Sequence, residues 1–159
     1  MPSEPFVDLA TLDFAHPRLA ADEIRKILPH RGHMALLDAV LSVDVERRIV
    51  VGYKQVRSDE FWCDGHFPGN PLLPGVMMIE VGAQLAIVGY KLAVPAIAER
   101  LVLFGGVDEV RFRGAVRPGD RLVLLSKGTS LSTRLAKSAV QGFVGDKLVF
   151  ECTVIGVPT

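Results

Sequence analysis

The residues best placed to do chemistry lie between Gly65 and Lys91, in GHFPGNPLLPGVMMIEVGAQLAIVGYK. Gly65 to Gly75 surrounds one histidine, His66, with three prolines and three glycines. Proline lacks an N–H and fixes φ, so this composition excludes a regular helix or central strand and reads as a shaped loop. An imidazole is the natural base near neutral pH, and a stiff loop can fix where it points. The plainer alternative is a loop histidine tied to a backbone carbonyl. Val76 to Leu92 is almost wholly apolar, with Glu80, Gln84 and Lys91 as its polar exceptions. At 3.6 residues per turn these three share one narrow stripe, and Glu80 and Gln84 are i,i+4 neighbours. A helix apolar on nearly all sides is buried on nearly all sides. No lysine or arginine stands at i±3 or i±4 from Glu80. Burial then favours its protonated form, which makes it a candidate general acid. The alternative is a structural acid paired with a distant arginine or a backbone N–H. Leu73-Pro74-Gly75-Val76 opens the helix. The free N–H groups of Gly75 and Val76 could face a developing oxyanion, helped by the helix dipole, or could simply mark a helix start.

The rest of the chain must position these groups. At 159 residues, 49% of them apolar, it is long enough for one domain with a sizeable core. A net charge of zero disfavours a general nucleic-acid binder. Leu72 to Tyr90 has the length of a membrane span, but Pro74, Gly75, Glu80 and Gln84 argue against one. The start of the chain lacks a signal-peptide pattern, and the only cysteines are Cys63 and Cys152, so a cytoplasmic protein with reduced thiols is expected.

Residues 1–19 read as a loosely ordered N-terminal extension that could pack on the surface, and residues 20–159 as a single domain. Ala20 to Leu28 is predicted as a short amphipathic helix stopped by Pro29, and His30-Arg31-Gly32-His33 as a turn. Strands are predicted over Ala35–Val45 and Ile49–Val56 before the helix. After it they are predicted over Leu101–Phe104, Val107–Val116, Arg121–Ser130, Arg134–Val144 and Lys147–Val157, with a break at Gly105-Gly106. Arg117-Pro118-Gly119-Asp120 and Gly145-Asp146 are turns. The pattern is α+β, with a sheet that curls round one helix. Three further groupings carry a chemical reading beside a bland one. Arg111, Arg113, Arg117 and Arg121 form either a solvated face or a docking patch for an acidic partner. His30, His33 and His66 could share a metal, although no Cys or carboxylate spacing completes the set. Cys63 with His66 could be a nucleophile pair, or Cys63 a small apolar residue.

Gly65-His66-Phe67-Pro68-Gly69-Asn70-Pro71, Pro74-Gly75-Val76, Glu80 and Ala83-Gln84 together resemble the 3-hydroxyacyl-acyl-carrier-protein dehydratases of fatty-acid synthesis, in the branch with glutamate at the acid position. The resemblance extends to Ile27-Leu28-Pro29-His30-Arg31 and Leu36-Leu37-Asp38 upstream. Downstream it takes in Val107-Asp108, Arg111-Phe112-Arg113 and Pro118-Gly119-Asp120, so that it covers roughly Ala21 to Val157. It implies a hot-dog fold, a long helix wrapped by a curved antiparallel sheet. It also implies a homodimer, assembled into a trimer of dimers, in which His66 and Glu80 meet from opposite subunits. His66 would take the α-proton, Glu80 would protonate the departing hydroxyl, and the Gly75 amide would hold the thioester carbonyl. Val76, Phe67 and Gln84 join Gly75 as expected substrate-side residues. No metal or redox cofactor is expected; the substrate would ride on the phosphopantetheine of an acyl carrier protein. The chain departs from the usual pattern in Val81-Gly82 after Glu80, where members carry Ala-Met, in Ala115 where proline is usual, and in its longer N-terminal extension. A hot-dog acyl-CoA thioesterase, a dehydratase that also isomerises the double bond, and a non-catalytic acyl-carrier-binding protein are the rival readings. The isomerising relatives usually carry aspartate at the position of Glu80.

Overall fold

The computed structural model describes residues 3–159. A short strand, β1 (Leu19–Ala20), leads into helix α1 (Ala21–Ile27), then strands β2 (Ala39–Asp44) and β3 (Ile49–Gln55). Helix α2 (Gly75–Ala93) follows, and strands β4 (Val102–Phe112), β5 (Arg121–Leu131), β6 (Ala136–Val144) and β7 (Lys147–Pro158) complete the chain. The seven strands form one open antiparallel sheet in the order β1-β2-β3-β5-β6-β7-β4. This is the expected α+β hot-dog arrangement, with α2 held against the sheet.

Helix α2 forms because Val76 to Leu92 contains no proline and because the sheet receives its apolar sides. Val81, Leu85 and Val88 are fully buried, in one cluster with Val40, Val50, Leu122, Leu124, Val140 and Phe150 from five strands. Each such side chain contributes about 2 kcal/mol of burial. The helix is long and apolar enough to cross a membrane, but more than half of that stretch is buried inside the protein. Gly82 explains one departure from the family pattern. A Cβ there would come within 2.7 Å of Val140 Cγ1, so the helix presses on β6 where a larger residue would hold it off. Pro95 lies just beyond the helix end, as expected.

The polar stripe of α2 turns toward segments without regular structure, whose backbone groups need partners. Gln84 is buried and joins Met34 and Leu36, and the buried Lys91 donates to the Ala98 carbonyl.

The strands differ from expectation in four places. β2 begins at Ala39, since Ala35 to Asp38 instead cross α2. Leu101–Phe104 and Val107–Val116 are not two strands about a glycine break but one strand, β4, which ends at Phe112, crosses Gly105-Gly106 on a bulge and carries a second bulge between Asp108 and Arg111. β6 begins at Ala136, and the brief β1 went unpredicted. Gly145-Asp146 does close the β6–β7 hairpin, Gly145 at φ 61° and Val144 opposite Lys147.

Alternate residues of the strands point away from α2. Leu41, Ile49, Val51, Val123, Leu125, Phe143 and Leu148 form a second apolar layer on that outer side. The N-terminal extension covers it with Phe6, Val7, Leu9, Leu12 and Phe14. Gln141 of β6, buried beneath, accepts from Phe6 N at 3.1 Å and donates to the Glu4 carbonyl at 2.8 Å. The extension is therefore a seated cover over a strongly apolar face.

Candidate active site

His66 is held by the main chain of its own loop. The Trp62 carbonyl accepts from Gly65 N and His66 N, and Leu72 N donates to the His66 carbonyl at 2.8 Å. His66 Nδ1 lies 2.8 Å from the Leu72 carbonyl. A carbonyl only accepts, so Nδ1 carries the hydrogen and Nε2 keeps its lone pair. The two sequence readings of His66 thus coincide: the tie to a backbone carbonyl is what leaves the other nitrogen basic. The Phe67 ring stacks on the imidazole with centroids 4.4 Å apart, and the His66–Phe67 peptide is cis. Arg117 reaches Asn70 Oδ1 at 2.6 Å, and Leu73 N donates to the Val116 carbonyl, which anchors the loop to the β4–β5 connection.

Beneath the loop lies a buried ion pair. Lys54 of β3 meets Glu60 at 3.0 Å, and Glu60 also accepts from Arg57 N and the Trp62 indole. Burial alone would raise the Glu60 carboxyl, but Arg57 N–H, the indole and the ammonium outweigh it and hold the group below its ordinary value. The Cys63 thiol, buried, donates to the Arg57 carbonyl at 3.4 Å. It is occupied with its own loop and forms no pair with His66.

Glu80 sits in the second turn of α2. Its setting differs from the dry, unpaired carboxyl expected: the side chain is 24% exposed, and His30 Nε2 stands 3.6 Å from Oε1. Gln84 donates to the same oxygen at 3.0 Å. Only 1% of Gln84 is exposed; its Oε1 accepts from Leu36 N at 3.2 Å, and its Nε2 also donates to the Met34 carbonyl at 2.8 Å. Its amide is thus committed to the protein and lies beneath Glu80 rather than lining the cleft. Periodicity around Glu80 could not reveal His30, because the contact comes from a distant, irregular segment. The one hint was that His30 falls within the matched stretch Leu28-Pro29-His30-Arg31.

Pro74 caps α2, one residue earlier than a first-turn proline, and its carbonyl accepts from Met77 N and Met78 N. The N–H groups of Gly75 and Val76 open the helix ahead of these bonds and, among the described residues, have no acceptor. A Cβ on Gly75 would lie 2.8 Å from the Phe112 ring, so glycine is what lets that ring lie against the helix start. Val76 and Phe67 are exposed beside the loop.

Among the described residues, no hydrogen bond or ion pair joins His66 to Glu80 within one chain, and no three His, Cys, Asp or Glu side chains gather as a metal set. The arginine group is largely engaged. Arg113 pairs with Glu151, Arg117 with Asn70, and Arg121 lies over the rings of Phe14 and Tyr53 at 4.4 and 5.1 Å.

A loop-held imidazole with a free Nε2, a helix start with free N–H groups and a glutamate on the same helix is the set that the sequence resemblance implied. The family model described as FabA-like domain matches residues 28–153. The chain belongs to the FabA-like family. It is 45% identical to the 3-hydroxyacyl-[acyl-carrier-protein] dehydratase FabZ of Moorella thermoacetica over 128 residues, 80% of this chain and 88% of that one. It is 40% identical to the FabZ of Desulforamulus reducens over 137 residues, 86% and 95% of the two chains. In fold it is similar to the dehydratase heterocomplex ApeI:P of Xenorhabdus doucetiae, with TM-score 0.71, 19% identity and 86% and 90% of the chains covered. It is also similar to a mutant thioesterase PA1618 of Pseudomonas aeruginosa, with TM-score 0.65, 14% identity and 89% and 96% covered. At such identities these structures speak for the fold alone, and one fold serves several activities.

Proposed function

We propose that this protein reversibly removes water from 3-hydroxyacyl thioesters borne on an acyl carrier protein, giving trans-2-enoyl thioesters in fatty-acid synthesis. The observation that carries the mechanism is the Nδ1 tie of His66 to Leu72, which leaves Nε2 as the base. His66 Nε2 takes the α-proton. Charge grows on the thioester oxygen and is met by the N–H groups of Gly75 and Val76 at the positive end of α2. Glu80 gives its proton to the departing hydroxyl. Phe67 flanks the base and Gln84 orients the acid. Elimination passes no electrons to an acceptor, so the residues named supply all the chemistry, and the phosphopantetheine arm serves only as carrier.

The working unit in this reading is a homodimer. β4 ends the sheet with an unpaired edge and exposes Leu103, Phe104, Val107 and Phe112, a surface that invites a second strand. Pairing two such edges covers these residues and lets His66 of one chain work with Glu80 of the other. Three dimers then make the hexamer implied by the family. Residues 20–159 are the catalytic domain, and Phe6 to Phe14 of the extension cover its outer face. A cytoplasmic location, where acyl carriers work, accords with two free, buried cysteines.

The test follows enoyl-thioester absorbance with acyl-carrier and CoA substrates of several chain lengths. His66→Ala and Glu80→Gln are each expected to lower kcat by roughly a thousandfold. Full activity in either variant rejects its assigned role. Free thiol released from acyl-CoA without enoyl formation would instead mark a thioesterase, and carrier binding without turnover a non-catalytic protein.

A further inference from the structure

Glu80 is reached by a segment far from it in the chain. After α1, the stretch His30 to Leu37 crosses the polar stripe of α2, and Gln84 fastens it there through Met34 O and Leu36 N. The fastening lays His30 along Glu80, with Nε2 3.6 Å from Oε1 and the imidazole side chain 22% exposed. His30 Nδ1 is buried and, among the described residues, has no hydrogen-bond partner. The ring also borders a small cavity with Ile24, Leu28, Leu36 and Gln84.

An unpartnered buried ring nitrogen is costly, and an apolar ring would fill the space without that cost. The contact that sets this imidazole apart from an apolar filler is the one with Glu80. With no acceptor near Nδ1 and a carboxyl oxygen facing Nε2, the neutral ring places its hydrogen on Nε2, toward the carboxyl. The separation of 3.6 Å exceeds a hydrogen bond in the resting chain, and contacts of this kind tighten once substrate is bound. Glu80 has to serve as an acid before the hydroxyl leaves and as a carboxylate afterwards. A donor aimed at one of its oxygens favours the second state and so strengthens the acid.

We propose that His30 is a positioning residue for Glu80: together with Gln84 it holds Oε1, so that Oε2 presents the proton to the leaving hydroxyl, and it stabilises the carboxylate left behind. The proposal rests on the assignment of Glu80 as the acid. The charged groups around His30 are Glu80 on α2, Arg31 beside it in the chain and Arg25 on α1, which borders the same cavity. Arg25 is paired with Asp22 at 2.6 Å, and the Arg31 guanidinium is turned to the Leu28, His30 and Arg25 carbonyls. Burial lowers the His30 ring below its ordinary value, Glu80 draws it back up and Arg31 pushes it down, so the neutral ring prevails.

Two measurements decide the matter. In the first, kcat and KM are followed against pH for wild type, His30→Leu and His30→Gln. His30→Leu is expected to lose about tenfold in kcat with KM within about twofold. The basic limb of its kcat profile moves to higher pH, because the acid has lost a donor to its charged form. His30→Gln, which offers an N–H near the same place, restores most of both. A His30→Leu enzyme with wild-type kcat and limb overturns the proposal. So does a loss of kcat with the limb unmoved and no recovery in His30→Gln. In the second, the His30 ring is titrated by NMR in wild type and in Glu80→Gln, which needs no turnover. Its midpoint falls in Glu80→Gln if the two groups are coupled, and an unchanged midpoint overturns the proposal. If the wild type performed no elimination the functional reading would fail, and the ring titration would still decide whether His30 and Glu80 act as a pair.

Discussion

The two halves of the site are held by different means. His66 is held by carbonyls and N–H groups of its own loop, the key bond spanning six residues. Glu80 is held by side chains, and the amide beneath it is fastened to backbone groups 48 and 50 residues away. Main-chain bonds in a proline-rich loop fix one tautomer and one direction, which suits a base. Side-chain contacts re-aim at little cost, which suits a group that changes charge during turnover. The difference also decided what could be read in advance. His66 stood out because its support is local and written in prolines and glycines. His30 did not, because no periodicity on α2 points to a segment that packs across it.

Substitutions that strike one half at a time sharpen this contrast. The largest effect on stability is expected on the histidine side, from Glu60→Gln. It leaves the buried Lys54 ammonium uncompensated and is expected to cost about 3 kcal/mol in denaturant unfolding. The folded carboxyl of Glu60 lies below its unfolded value, so its contribution is present above the unfolded pKa and is lost as pH falls through the folded one. Unfolding measured down the acid range should therefore show a shallower decline for Glu60→Gln than for wild type. On the glutamate side, Gln84→Leu strands the Leu36 N–H and the Met34 carbonyl, for about 2 kcal/mol. Because Glu80 also loses a donor, kcat should fall while KM holds, in contrast to a purely structural lesion. The smallest stability effect is expected where the halves meet, from Gly75→Ala. The new methyl meets the Phe112 ring, which is 51% exposed and can swing aside, so less than about 1 kcal/mol is lost. Turnover should drop about tenfold or more, since the methyl and the displaced ring crowd the helix-start N–H groups that the thioester oxygen must reach. Unchanged turnover would remove Gly75 from the oxyanion role.

Much of the fold was legible for the same reason that the histidine was. The apolar run of α2 and the period-two strands after it are local patterns, and Gly145-Asp146 closes its hairpin as read. The misreadings fall where a distant contact overrides the local pattern. Gly105-Gly106 looked like a break, but β7 pairs across it and makes it a bulge. Ala35 to Asp38 looked like strand, but Gln84 draws it over the helix. The extension looked loosely ordered because nothing near it in sequence announces the apolar layer on Leu41, Val51, Val123 and Phe143 that it covers.

That cover has a temporal side. Glu4 and Phe6 are clasped by Gln141, 137 and 135 residues further on, so these two residues cannot settle until β6 has been synthesised. Until then the outer greasy flank of the half-built sheet stands open to neighbouring nascent chains. The order of synthesis thus makes Glu4 and Phe6 a latch that closes only once β6 is in place.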